Sequence, residues 1–361
     1  MSNHLTIHVL TPIPFSNLNR DDTGTPKRIN QGGVMRALHS SQSIKRGIRK
    51  RYEDASLDIS VRSGELHDAI VERVQEINPE IEIKSALKEA KKIVGKLTKA
   101  EAKEGESNRS IWLSQEEINT AAQTVVNILS DSSDEEKAEI DDFIDGNKTG
   151  SLAIAAFGRM FANAPQSNTE AALAVSPAVT THAASIDTDY FSTVDDRYAA
   201  QNKTGATFLS VAQYTNGVFY RTVSLDRNQL KLSWAAFDDE KSRENLAELI
   251  RAVVYGQPRG KENGTAPYIL PALILAEEQR YRTAYDFETP VIATGDGGFL
   301  EASIDSLASQ YKNARNFDAA NFGPTEAISG TASNLNSKFG DLTSVQLDTL
   351  IESVVEWVYD A

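Results

Sequence analysis

The sequence has no cysteine, which excludes disulfides, cysteine nucleophiles and thiolate zinc sites together. It holds five histidines in 361 residues and no G-x-S-x-G signature, so no nucleophile constellation stands out. Long hydrophobic runs are missing as well. The longest apolar stretch, Ala266 to Ala276, has 11 residues and two prolines, short of the roughly 18 that span a bilayer. No membrane partner is expected. The first residues, MSNHLTIHVLTPIP, lack a basic n-region and alternate polar with apolar side chains, unlike a signal peptide, so a cytoplasmic protein is expected. The composition, 40 % apolar and 24 % charged, is that of a folded globular chain with room for one large domain or two modest ones.

Positive charge is also scarce overall, with 37 Lys and Arg against 51 Asp and Glu and a formal net of −14. Its distribution is uneven. Between Arg20 and Tyr52 stand nine bases and two acids, a net of +7, which leaves −21 on the rest. One basic segment on an acidic protein marks a place where a polyanion can bind.

Leu5, Ile7 and Val9 alternate with His4, Thr6 and His8, so residues 4–10 read as a strand with one polar face. Pro12 to Gly33 is rich in turn residues without periodicity and reads as a long loop. Ser40 or Ser41 can cap a helix whose buried stripe is Ile44, Ile48 and Tyr52. Lys45 with Arg49, and Arg46 with Lys50, then fall at i,i+4 on its surface, making a basic ridge. From Ser63 to Ile144 the periodicity is helical, with Ser114 and Glu117 spaced as a capping box. The acidic run Asp131 to Asp145 reads as a solvated surface. Residues 187–212 look like an excursion between strands, and Val218, Tyr220 and Thr222 alternate as a strand. Leu246 to Tyr255 reads as a helix ended by Gly256, Tyr268 to Leu275 as an apolar strand, and about Ser344 to Tyr359 as a closing helix. Strands interrupted by helices and long insertions point to an α+β fold carrying lobes.

A strand followed by a Ser-capped basic helix suits phosphate: the helix N-terminus offers amides, and Lys and Arg neutralise charge without reading sequence. A solvated helix face is the plainer reading. Asp145, Asn147, Thr149 and Gly150 fall on a calcium-loop spacing, but Ala156 stands where the bidentate Glu is required. Gly256, Gly260 and Lys261 suggest a phosphate loop, one residue short and with Glu262 in place of the magnesium-holding Ser or Thr; Lys261 can still touch a phosphate. His67-Asp68 and the His4/His8 pair lack further metal ligands. Asp187, Asp189, Asp195 and Asp196 offer metal-holding carboxylates for phosphodiester cleavage, against an ordinary acidic loop.

MSNHLTIHVL at 1–10, LNRDD at 18–22, GG at 32–33 and SSQSIKRGIRK at 40–50 are followed by GRM at 158–160, TTH at 180–182, DYFSTVDD at 189–196 and GVFYR at 217–221. In these motifs and their order the chain resembles the CasC-type backbone subunit of the type I-E CRISPR Cascade complex, a member of the RAMP superfamily. The resemblance is strong over 1–52 and 150–222, weak over 63–150 and loose after 223. It implies a modified RRM (ferredoxin-like) palm over 1–62, 151–186 and 213–361, with helical fingers inserted at 63–150 and a thumb hairpin at 187–212. It further implies a non-catalytic protein without cofactor that binds crRNA and stacks head to tail with copies of itself. Target DNA pairs through the guide, and the large, small and two end-capping Cascade subunits complete the assembly. Residue by residue, Ser40, Gln42, Ser43, Lys45, Arg46 and Arg49 fall on the family's RNA-backbone contacts, with Arg20 and Lys27 on the adjacent loop. Met160 matches an apolar wedge against a displaced base, and Phe191 and Ser192 match thumb residues, with Ser where Thr is expected. The lysines from Lys84 to Lys103 would face target duplex. The alternative is a metal-dependent ribonuclease, like the related type III backbone subunits, with Asp195 or Asp196 as its catalytic acid.

Overall fold

The computed structural model describes residues 2–56, 58–97, 110–130, 143–194 and 206–360. In chain order the elements begin with β1 (His4–Ser16), β2 (Arg28–Gln31), β3 (Val34–His39), α1 (Ser41–Ala55), β4 (Ser60–Ser63), α2 (Leu66–Ile77) and α3 (Ile83–Leu97). Next come β5 (Ile111–Ser114), α4 (Gln115–Ser130), α5 (Leu152–Phe157), β6 (Leu173–Val175), β7 (Ala178–Thr180), β8 (Asp187–Val194) and β9 (Ala206–Asp226). The chain continues through α6 (Arg227–Ser233), α7 (Ser242–Tyr255), α8 (Glu262–Thr265), β10 (Leu273–Gln279), α9 (Leu300–Phe317), β11 (Phe322–Ser329) and α10 (Leu347–Tyr359). These elements fall into two compact units, one of residues 1–49, 175–224 and 250–361, the other of 50–174 and 225–249.

The first unit is built on a sheet ordered β11-β10-β1-β9-β7-β3-β2. β1 and β10 run antiparallel in register from His4↔Gln279 to Leu10↔Leu273. β8 returns along β9 as a hairpin, from Asp187↔Tyr214 to Val194↔Ala206. Leu273, Leu275 and Ile328 of the sheet pack with Ile304, Leu307 and Tyr311 of α9 in one apolar cluster. In the second unit α2, α3 and α4 pack on one another through Leu66, Ile70, Val74, Ala90, Ile93 and Val125, beside the two-stranded β4-β5 sheet. The expected capping box is formed: Ser114 N donates to Glu117 Oε2 (2.8 Å), and Glu117 N donates to Ser114 Oγ (3.2 Å).

Several expectations are corrected. β1 runs to Ser16, and the supposed loop from Pro12 to Gly33 contains β2 and its turn; Gly32 and Gly33 close the β2-β3 hairpin at positive φ. Residues 4–10 of β1 have no solvated face, because Thr6 donates to Gln279 Oε1 (2.7 Å) and the buried His8 ring meets Tyr220 Oη (2.8 Å) and Glu277 Oε2 (2.8 Å). Their polar side chains find partners inside the unit, so alternation in sequence does not translate into exposure. Residues 268–272 precede β10 rather than form it. The helix of 300–317 and strand of 322–329 went unrecognised in sequence.

Candidate nucleic-acid interface

Ile44, Ile48 and Tyr52 are fully buried, which turns the remaining faces of α1 outward. Ser40 Oγ accepts from Ser43 N (3.4 Å), satisfying one amide of the first turn. Gln42 and Arg46 are exposed, and Ser43, Lys45 and Arg49 are half-buried. Among the described residues neither Lys45 nor Arg46 has a carboxylate partner, whereas Lys50 is paired with Glu53 at 3.2 Å.

One side chain joins this helix to the loop before it. Asn19 Oδ1 accepts from Ser40 N (2.8 Å), and Asn19 O accepts from Lys27 N (2.9 Å). Lys27 is thereby set beside the start of α1, and the exposed Arg20 bridges Pro26 across the same loop. Asp21, exposed, is held within this loop: its carboxylate accepts from Thr23 Oγ1 and from the amides of Thr23 and Thr25. Those hydrogen bonds hold it below the usual carboxylate range. The loop is tied to the base of the β8-β9 hairpin by Asn17 Nδ2 donating to Gln213 O (2.8 Å) and by Thr25 Oγ1 donating to Gln213 Oε1 (2.6 Å). Gly260 N donates to Leu18 O (3.0 Å), bringing in Lys261, whose Nζ stands 5.9 Å from the Tyr214 ring. Arg20, Lys27, Lys261 and the start of α1 thus belong to one stitched region of the first unit. The signal for Asn19 was its place in the LNRDD motif; nothing marked it as the tie.

Other residues stand elsewhere. Arg36, counted in the basic segment, is buried and donates to the carbonyls of Gln31, Thr180, Phe287 and Glu288, so it is a structural tie rather than surface charge. Phe191 and Ser192 are both exposed on β8 but, as neighbours in a strand, face opposite sides. Ser192 shares its side with Tyr190, Leu209 and Val211; Phe191 pairs with Ser210 on the other. Met160 lies in the second unit, 77 % exposed, directly after the buried Arg159. Arg159 donates both terminal nitrogens to Glu117, at 2.5 and 2.6 Å. Lys84, Lys88, Lys91 and Lys92 are exposed on α3. Asp195, Asp196, Lys99, Lys103 and acids 131–142 lie outside the described residues. Among the described residues no group of three or more His, Asp or Glu is placed to hold a metal ion, and no helix is long and apolar enough to cross a membrane.

Two buried groups escaped sequence reading. Arg221 donates to Val253 O, Val254 O and Gly256 O at the end of α7, and burial pulls its guanidinium down to about 10. His39 stacks on Phe219 at 4.4 Å, and burial, with the nearby Arg221 charge, lowers its imidazole to about 3.

The fold is an α+β architecture on an antiparallel-paired sheet, and the candidate site on its first unit is a basic helix stitched to a basic loop. The chain belongs to the CT1975-like protein family, which it matches over residues 5–357. Two solved structures share its fold. A chain of a "CRISPR RNA-guided surveillance complex, pre-nicking" is 23 % identical with a TM-score of 0.79, and the match covers 99 % of this chain and 100 % of that one. A chain of a "CRISPR RNA-guided surveillance complex" is 20 % identical with a TM-score of 0.70, covering 98 % and 99 %. No curated protein matches the sequence significantly.

Proposed function

We propose that the chain is a non-catalytic backbone subunit of a Cascade surveillance complex, binding crRNA and assembling along it with other copies of itself. The observation that carries this reading is the basic face of the first unit, where Asn19 joins Lys27 to the start of α1, on a fold that two surveillance-complex chains share over nearly their whole length. Ser40, Gln42 and Ser43 offer hydroxyl, amide and helix-end groups to phosphate, and Lys45, Arg46, Arg49, Arg20, Lys27 and Lys261 supply charge. Such contacts grip the backbone irrespective of sequence, so recognition is delegated to pairing between guide and target DNA. The first unit serves as palm, its β8-β9 hairpin as thumb with Phe191 and Ser192, and α2 to α4 as fingers. Met160 is the wedge against a displaced base. A head-to-tail contact between copies gives an open helical assembly, to which the large, small and end-capping subunits add.

Binding of labelled single-stranded RNA by the full chain, measured over a salt series, tests this. Replacing Lys45 and Arg46 by Ala should weaken binding for all sequences and reduce the slope of log affinity against log salt by about 1.4, at roughly 0.7 per phosphate contact on a single strand. An unchanged affinity and slope would rule out α1 as the grip.

A further inference from the structure

The GVFYR motif contributes no exposed cation, and its arginine, Arg221, is 7 % exposed. Among the described residues Arg221 has no carboxylate partner; its acceptors are the carbonyls of Val253 (2.9 Å), Val254 (2.7 Å) and Gly256. Carbonyls at a helix end lack amide partners and form the negative pole of the dipole, which is where a cation belongs. A guanidinium taken out of water is nonetheless costly, so the place it holds together is informative.

That place lies directly under the basic helix. A Cβ on Gly256 would stand 2.4 Å from Ile48 Cγ1, and one on Gly47 would stand 2.2 Å from Gln257 O, so α1 rests on the segment that Arg221 fixes. Three residues on, Gly260 N donates to Leu18 O (3.0 Å), and a Cβ there would meet that carbonyl at 2.4 Å. Lys261 follows at once, in left-handed backbone with φ 49°. The part of β9 just before Arg221 is secured separately, with Val218 N donating to His182 Nε2 (3.1 Å) of the TTH motif.

We propose that Arg221 is a positioning residue for RNA: by closing the end of α7 it fixes residues 256–261 as the seat on which α1, the loop of 17–27 and Lys261 are set to converge on one strand of phosphates. Arg221 itself touches no RNA. The inference rests on the RNA-binding reading above and deepens it.

The full chain is titrated with fluorescently labelled single-stranded RNA of mixed sequence over a salt series, with circular dichroism as the check on folding. Lys261→Ala is expected to weaken binding about threefold to tenfold and to lower the salt slope by about 0.7. Arg221→Gln is expected to lose at least as much affinity and slope, and the double variant Arg221→Gln/Lys261→Ala to bind no worse than Arg221→Gln alone, since the lysine is already misplaced. A residue that only stabilised the fold would leave the salt slope of the folded fraction unchanged and its loss would add to that of Lys261→Ala; either result overturns the inference. Gly260→Ala keeps the guanidinium and unseats the loop, so it decides the matter if Arg221→Gln does not fold: it should bind like Lys261→Ala or worse, and wild-type affinity overturns the inference. Failure of the underlying reading looks different. In that case the unaltered chain binds no RNA, or Lys45→Ala/Arg46→Ala binds as tightly as the unaltered chain.

Discussion

Replacing Glu117 by Ala removes a carboxylate that serves two buried partners in the second unit. Its oxygens accept both terminal nitrogens of Arg159, at 2.5 and 2.6 Å, and the Ser114 amide at 2.8 Å. Arg159 and Glu117 are 8 % and 7 % exposed, so after the substitution a guanidinium stays buried with no carboxylate partner among the described residues, answered by the Trp112 carbonyl at 3.3 Å and the Phe161 ring at 5.0 Å. Breaking one side of a buried pair costs about 3–5 kcal/mol. Losing half of the capping box at the start of α4 adds about 1 kcal/mol, so a loss of about 4–6 kcal/mol is expected. Glu117→Gln keeps an acceptor without the charge and should lose about 2 kcal/mol. Removing both charges together as Glu117→Leu/Arg159→Met should recover most of the loss, because neither partner is then left buried alone. Urea unfolding followed by tryptophan fluorescence reports it, since Trp112 lies beside the pair and donates to Ser60 Oγ (2.7 Å). A loss under about 1 kcal/mol for Glu117→Ala, or a double variant as weak as the single, would refute the assignment of Arg159 as a buried charge dependent on this one carboxylate.

His39 should make the fold acid-sensitive. Its imidazole in the folded protein is held at about 3, below the ordinary 6.5, so the unfolded chain takes up the proton first and stability is lost as pH falls from about 6.5 toward 3. By pH 4.5 the difference is about 2–3 kcal/mol, and His39→Phe, which preserves the ring stack on Phe219, should remove that share of the decline; an equally steep decline would contradict the assignment. Met160→Ala should leave stability within about 0.5 kcal/mol, because the side chain is 77 % exposed. It should lower RNA affinity of the assembled complex severalfold, and unaltered affinity would remove the wedge role.

What could be read from the sequence was what local chemistry determines. The spacing of Ile44, Ile48 and Tyr52 set the buried stripe of α1, and with it the direction of Lys45 and Arg46. Ser114 and Glu117 announced the start of α4 because a capping box needs only four consecutive residues. Long-range pairing was not legible. β2 shows no alternation of burial, Arg28, Ile29 and Asn30 all being exposed, and it exists because β3 offers it an edge. His8 reads as polar surface but meets Tyr220 and Glu277, residues more than two hundred positions away. Arg36 was counted as basic-segment charge for the same reason, and nothing local marked Arg221 as buried: the carbonyls that bury them come from other segments. The basic face was visible as a charge count, while the Asn19 stitch that makes it one surface needed the fold.

The most direct test of the central claim is to purify the tagged chain with its native partners, digest exposed nucleic acid and sequence what remains bound. The account predicts a uniform set of short RNAs flanked by CRISPR-repeat sequence, together with other Cascade subunits. Protein free of nucleic acid, with every partner present, would contradict it.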